Sequence, residues 1–154
     1  MEGQYQLKQL PQAMRKVTPV SVQANMSGAV RPPRAGTSGA RFHTQFGQQL
    51  LAIGGMVSVQ ALNELASVDS RKLKISWPEI SEVIAQVRLV CPVQPLSITT
   101  HERAIAVAER YRLSFYDALI VAAALLAGCT TLYSEDVQDG QVIERKLTVR
   151  NPFR

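Results

Sequence analysis

The positions of hydrophobic residues divide the chain into two parts with different patterns. From residue 1 to about 45, Gln, Pro, Gly and Ser predominate, and hydrophobic residues recur with the period of neither a strand nor a helix. The stretch RPPRAGTSGAR, residues 31–41, can pack little into a core and is typical of a loop or a disordered segment. From about Phe46 the pattern becomes regular. We therefore divide the chain into an atypical segment, 1–45, and a folded domain, 46–154.

The regular part alternates short hydrophobic strands with amphipathic helices. It predicts strands over residues 56–57, 90–96, 130–134 and 147–149. It predicts helices that end at Gly54-Gly55, run from Val59 to about Arg71, and start at SWPE (76–79), TTHE (99–102) and SFYD (114–117). The last three motifs have the spacing of a capping box, and Gly128 is typical of a helix end. Strands that alternate with helices indicate an α/β fold of three layers, a parallel sheet flanked by helices.

The N-terminal segment contains one weak strand candidate and most of the charge. Residues 17–22 are hydrophobic enough for a short strand, but Pro19 interrupts them and favours a sheet edge at best. Residues 1–63 hold six basic groups and one acidic group, whereas residues 64–154 hold eleven of each, so the formal charge of +5 belongs to the first part. Basic segments bind phosphate backbones, but these charges form no cluster. An RNA-binding role for residues 1–45 is therefore a minor alternative.

Other residues exclude several classes of protein. The longest hydrophobic run, residues 118–127, is too short to cross a bilayer, and no hydrophobic core of a signal peptide follows the first basic residue. Cys91 and Cys129 have no metal-ligand spacing and are expected to be buried, reduced thiols. We expect a cytoplasmic protein without membrane contact.

Three acidic residues are the candidates for chemistry. Asp117 starts a buried helix of about 14 residues, roughly 21 Å long, and the strand that follows returns roughly 17 Å. Asp136 lies just past that strand, so the two carboxylates should meet at the carboxyl edge of the sheet, where parallel sheets bind ligands. Glu64, two turns into the helix after the strand at 56–57, is the third candidate. Each acid also has a structural explanation, as a capping residue, a turn residue or a solvated helix residue.

Three carboxylates at one edge repel each other unless a cation lies between them. Mg²⁺, or alternatively Mn²⁺, is the hard cation that such oxygen ligands favour. A bound ion of this kind can activate water and stabilise the charge that develops on a phosphate during hydrolysis. The acids therefore predict a metal-dependent hydrolase of phosphate esters.

Four segments resemble PIN-domain proteins: the strand–helix entry VSVQALNE (57–64), LSFYDALIVAAAL (113–125), AGCTTLYSED (127–136) and LTVRNPF (147–153). The likeness covers about residues 46–153 and is closest to VapC-type ribonuclease toxins of bacterial toxin–antitoxin pairs. It implies a Mg²⁺-dependent endoribonuclease that forms homodimers and is inhibited by a small cognate antitoxin. Glu64, Asp117 and Asp136 match the second, third and fourth acidic positions of the family, and Asp139 would lie in an outer shell.

The chain departs from the family at its first acidic position. PIN-domain proteins begin with a hydrophobic strand that ends in an Asp, whereas this chain has no Asp before Asp69. Its nearest equivalent, VSVQAN (20–25), ends in an amide. We hypothesise that the family's first strand has been replaced, through a frameshift or a misplaced start codon. The alternative function is then a catalytically inactive PIN-like scaffold that binds an antitoxin or another protein.

Overall fold

The computed structural model describes residues 22–24, 55–71 and 74–151. In chain order the elements are β1 Val22–Ala24, β2 Met56–Ser58, α1 Val59–Arg71, α2 Trp77–Val90, β3 Val93–Gln94, α3 Ile98–Tyr111, α4 Phe115–Leu126, β4 Thr131–Tyr133, β5 Val142–Ile143 and β6 Leu147–Arg150. The helix predicted to end at Gly54-Gly55 lies outside the described residues. The predicted α/β class is confirmed.

The strands form one sheet in the order β3-β2-β1-β4-β6-β5. The parallel pairings join β2 to β3 and β4 to β6, as the alternation of strands and helices predicts. The other pairings are antiparallel: β1 with both β2 and β4, and β5 with β6. β3, β2, β4 and β6 therefore share one direction, and the interior strand β1 and the edge strand β5 run in the opposite direction.

β1 corrects the prediction of an edge strand. Val22 lies opposite both Val57 of β2 and Tyr133 of β4, so β1 is in the interior of the sheet. The inner edges of β2 and β4 would otherwise leave backbone N–H and C=O groups without partners, which costs free energy when they are buried. The prediction was wrong because it centred the strand on Pro19, whereas the paired residues begin after that proline.

The helix starts follow the capping motifs with one correction. The Glu79 carboxylate accepts hydrogen bonds from the backbone N–H of Ser76 (3.0 Å) and from its hydroxyl (2.6 Å), as SWPE predicts. The box predicted at residues 99–102 is wrong. Ser97 caps α3 instead, because its hydroxyl accepts from the Thr100 N–H (3.2 Å) and its own N–H donates to the Thr100 hydroxyl (3.3 Å). A threonine thus replaces the acid that the motif normally carries at that position.

The strand predicted over residues 90–96 is much shorter. α2 continues through Val90, and only Val93–Gln94 pair with β2. These two residues stand between Pro92 and Pro95, which have no N–H to donate to a sheet. The Pro92 carbonyl still accepts a hydrogen bond from the Val57 N–H (3.0 Å), which fixes β3 beside β2.

α4 is the central helix of the main hydrophobic core. Seven consecutive residues, 118–124, are buried, and they pack with residues of α3, β4, β5 and β6. Gly128 ends the helix region with a φ of +72°, and its N–H donates to the Leu125 carbonyl at 3.1 Å, as expected for a glycine after a helix. Cys91 and Cys129 are buried free thiols as predicted, and burial raises the pKa of both. Within the described segments no helix has both the length and the hydrophobicity needed to cross a bilayer.

Candidate acidic site

Asp117 is fixed by the cap of α4. Its backbone N–H donates to the Ser114 hydroxyl (3.1 Å), and that hydroxyl donates to the Asp117 carboxylate at Oδ2 (2.5 Å). The predicted capping role is therefore real. The cap uses Oδ2 and not Oδ1 of this half-buried carboxylate, which lies at the start of a helix whose next seven residues are buried. A capping role and a role in a site are thus compatible.

Glu64 lies on the flank of α1, between the buried and the solvent-facing sides. Leu62 and Leu65 are buried, Asn63 is exposed, and Glu64 itself is half-buried. The Gln60 side-chain amide, one helical turn earlier, donates to Glu64 Oε1 at 3.3 Å. The sequence analysis missed Gln60, although its spacing of four positions on one helix was the signal that could have identified it.

Asp136 follows β4 at an exposed bend. Its backbone N–H donates to the hydroxyl of Ser134 (3.2 Å), a buried residue whose own N–H donates to the Arg150 carbonyl (3.0 Å). The bend is therefore tied to the parallel pair β4–β6. Asp136 lies beyond the carboxyl end of a parallel strand, where the sequence predicts it.

The electrostatics of Glu64 connect it with Asp117 and Asp136. Burial raises the pKa of Glu64, the hydrogen bond from Gln60 opposes that shift, and the negative charges of Asp117 and Asp136 raise the pKa further. Acids from α1, α4 and the loop after β4 therefore share one region. We call Glu64, Asp117 and Asp136 the acidic site.

The donor chemistry of the acidic site fits a hard divalent cation. Its side chains offer carboxylate oxygens, and the repulsion of the Glu64 carboxylate by Asp117 and Asp136 is what a cation between them would relieve. Nowhere in residues 22–24, 55–71 or 74–151 do three His, Cys, Asp or Glu side chains stand close enough to hold an ion directly. Mg²⁺ keeps several of its waters and binds proteins through one or two carboxylates, so direct contact with all three is not required.

Asp139 has a structural contact of its own. Its Oδ1 accepts a hydrogen bond from the Asn151 backbone N–H at 2.8 Å, which joins the loop after β4 to the end of β6. Asp139 is exposed, and it is not one of the charges that raise the pKa of Glu64. This contact accounts for Asp139 without a part in the site.

The direction of β1 bears on the first acidic position of the family. The chain enters β1 at Val22, beside the carboxyl end of β4, and leaves it at Ala24, opposite Thr131 at the amino end of β4. A parallel strand in this place would instead leave the sheet at the edge where Asp136 lies. Asn25, the predicted amide substitute, lies outside the described residues.

The raised pKa of Glu64 predicts a pH-dependent stability. The relevant pH window lies between 4.5, the ordinary pKa of Glu64, and its higher pKa in the folded protein. In this window the folded protein binds more protons than the unfolded chain, so its stability falls as pH rises. Glu64→Gln should therefore raise the Tm at neutral pH relative to the native protein, and this advantage should disappear below the window. Thermal unfolding in a chelator between about pH 4 and pH 8 measures it. The exposed Glu82→Gln variant is the control. If the Tm of Glu64→Gln changed with pH in the same way as the Tm of the native protein, the expectation would be contradicted.

The structure is an α/β domain with carboxylates beyond the carboxyl end of a parallel strand, where such domains bind ligands. Comparison with protein families matches residues 37–139 to the PIN domain, about two thirds of the chain. The chain therefore belongs to the PIN domain family. PIN domains are nuclease-type domains and generally use divalent metal ions. No curated protein matches the chain.

The boundaries of the family match are informative. The matched residues include all three members of the acidic site and end at Asp139. The match starts after β1, so the central antiparallel strand is not part of what the family shares with this chain. It also ends before β5 and β6, whereas the sequence resemblance extends to about residue 153.

Proposed function

We propose that this PIN domain is a divalent-metal-dependent endoribonuclease of the VapC type. The observation that carries the proposal is that Asp117 and Asp136, from two other elements, lie near enough to Glu64 for their charges to raise its pKa. All three fall within the residues that match the family. A nuclease-type fold that carries several hard oxygen ligands favours cleavage of a phosphodiester over other hydrolytic chemistry.

Each acid has its own part in the proposed site. Asp117 and Asp136 would hold the ion, and Glu64, whose charged form is already disfavoured by burial, would complete the charge balance. When bound, Mg²⁺ would supply Lewis-acid chemistry that stabilises charge on the scissile phosphate. Ser114 orients Asp117 through the hydrogen bond to Oδ2, and Gln60 orients Glu64 through Oε1. Mn²⁺ has the same ligand preference and could replace Mg²⁺.

The proposed partners follow from the resemblance to VapC-type toxins. They are an RNA substrate, a small cognate antitoxin that inhibits the enzyme, and a second copy of the chain in a homodimer. We place this activity in the cytoplasm and in the domain 46–154, with residues 1–45 as a separate segment.

A second candidate is a catalytically inactive PIN scaffold that binds an antitoxin or another protein. The observation that favours it is the direction of β1, whose carboxyl end at Ala24 lies at the opposite edge of the sheet from Asp136, away from the place of the family's first carboxylate. A site with three anionic ligands in place of four binds a divalent cation less tightly, because each carboxylate contributes to the attraction. The two candidates differ in whether RNA is cleaved.

We expect the purified protein to cleave single-stranded RNA when Mg²⁺ or Mn²⁺ is added, and to lose this activity in excess chelator. The physical reason is that the carboxylates of the acidic site repel a phosphate unless a cation lies between them. Denaturing gel electrophoresis of end-labelled RNA measures the products, and calorimetric titration of the metal measures binding separately. Metal binding without cleavage would favour the inactive scaffold, and cleavage that persists in chelator would refute the proposal.

A further inference from the structure

A basic surface lies where the end of α3 meets the turn between β5 and β6. The backbone N–H of Glu144, in that turn, donates to the Tyr111 hydroxyl at 2.8 Å. The Arg110 guanidinium lies over the Tyr111 ring, 5.5 Å from its centre. These contacts bring together four exposed cations, which we call the basic patch: Arg110, Arg112, Arg145 and Lys146.

The described acidic residues near the basic patch do not pair with its cations. Glu144 is paired with Arg103 of α3, a cation outside the basic patch. Within the part of the chain that the structure describes, the four patch residues take part in no ion pair. The other acids of α3, Glu102 and Glu109, each precede an arginine by one position. A step of one residue turns about 100° around a helix, so these acids form a separate stripe beside the basic one.

The backbone of the turn is unusual for its sequence. Glu144 and Arg145 both have positive φ, 50° and 57°, and the Lys146 N–H donates to the Ile143 carbonyl at 3.0 Å. This is the geometry of a type I′ turn, which strongly favours Asn and Gly. Two long charged residues occupy it instead, at a cost in backbone strain. The Glu144 carboxylate is paired with Arg103, whereas the exposed Arg145 side chain takes part in no ion pair within the described residues, so its charge can bind a ligand.

We propose that the basic patch binds the phosphate backbone of RNA away from the cleaved bond. The turn precedes β6, whereas Asp136 follows the carboxyl end of β4, and these strands are parallel. The turn residues Arg145 and Lys146 therefore lie at the opposite edge of the sheet from Asp136, separated from it by roughly the length of β6, about 13 Å. An RNA strand that reaches both must extend over several nucleotides. This inference rests on the proposed ribonuclease function and assigns it a substrate-binding surface.

Charge reversal tests the proposal. Binding of a fluorescein-labelled single-stranded RNA of about 20 nucleotides is measured by anisotropy in chelator, so that no cleavage occurs. We expect the double variant Arg145→Glu, Lys146→Glu to bind about tenfold more weakly, and the slope of log K against log salt to fall by about 0.7 for each phosphate that the protein no longer binds. Arg88→Glu, an exposed arginine of α2, is the matched control and should bind like the native protein. Equal binding by both variants would overturn the proposal.

A glycine substitution separates binding from folding. Arg145→Gly relieves the positive φ and should raise the Tm by a few degrees, because glycine adopts this conformation without strain. If the side chain served only the turn, RNA affinity would be unchanged, and that result would overturn the proposal. We expect affinity to fall although the fold is more stable. Polyglutamate of matched length should not compete with the RNA, and equal competition would likewise overturn it.

The two proposals fail in different ways. If RNA is cleaved with metal, the charge-reversed variant should show a raised KM with an unchanged kcat, because Arg145 and Lys146 lie at the opposite edge of the sheet from Asp136. Cleavage with an unaltered KM overturns the basic patch and leaves the ribonuclease proposal intact. Patch-dependent binding without any metal-dependent cleavage upholds the basic patch and refutes the ribonuclease.

Discussion

Asp117→Asn is expected to reduce metal-dependent RNA cleavage by about 100-fold or more, because removal of an anionic ligand takes away several kcal/mol of charge stabilisation and each 1.36 kcal/mol changes the rate about tenfold. The substitution keeps the cap of α4, since an amide oxygen can still accept the hydrogen bond from the Ser114 hydroxyl. The fold should therefore remain while the chemistry is abolished. Initial rates of RNA cleavage at saturating Mg²⁺ measure the effect.

Two variants control for general effects of charge. Glu79 has the same position in the cap of α2 that Asp117 has in the cap of α4, so Glu79→Gln removes a charge from an equivalent helix start away from the acidic site. Asp139→Asn removes an acid three positions after Asp136. Both variants should cleave RNA at the native rate. Cleavage by Asp117→Asn at the rate of these controls would show that the acidic site is not the catalytic site.

Gln23→Pro is expected to destabilise the protein by about 3 kcal/mol or more. Gln23 is the middle residue of β1 and lies opposite Met56 of β2 and Leu132 of β4, so it has a neighbouring strand on each side. Proline has no N–H for the sheet and is tolerated only at edges and bulges. Urea unfolding measures the effect, as a lower midpoint with the slope unchanged.

The matched control is Gln23→Val, which removes the same side chain but keeps the N–H and suits a strand. Its stability should lie close to that of the native protein. If Gln23→Pro is as stable as Gln23→Val, residues 22–24 do not pair inside the sheet. The sheet would then require a different central strand.

The predictable parts of the fold are those specified by local chemistry. α1 and α4 begin where the hydroxyls of Ser58 and Ser114 accept hydrogen bonds from backbone N–H groups, and α2 begins where the Ser76 N–H donates to Glu79. A hydroxyl and its partner three positions later form one turn without help from distant residues. α3 was predicted two residues late because Thr100 occupies the position where the motif normally carries an acid.

The features that were not predictable depend on residues far apart in the sequence. β1 contains three residues, and its place between β2 and β4 depends on what those strands leave unpaired. No local pattern encodes that choice, or its antiparallel direction. The predicted approach of Asp117 and Asp136 is simpler in kind, because it depends only on the lengths of α4 and β4. The direction in which the Glu64 side chain points was not predictable, because its hydrophobic neighbours Leu62 and Leu65 are compatible with either a buried or a solvent-facing Glu64.

The central position of β1 also has a consequence for how the protein acquires its structure. Val22 gains its second neighbouring strand only after Tyr133, about 110 positions later, has been synthesised. Contacts between such distant residues slow folding, because a long loop closes before they form. During synthesis the last-made strands therefore complete the middle of the sheet. Until then, the edge of β1 that faces β4 is unpaired, and nascent chains can aggregate on it.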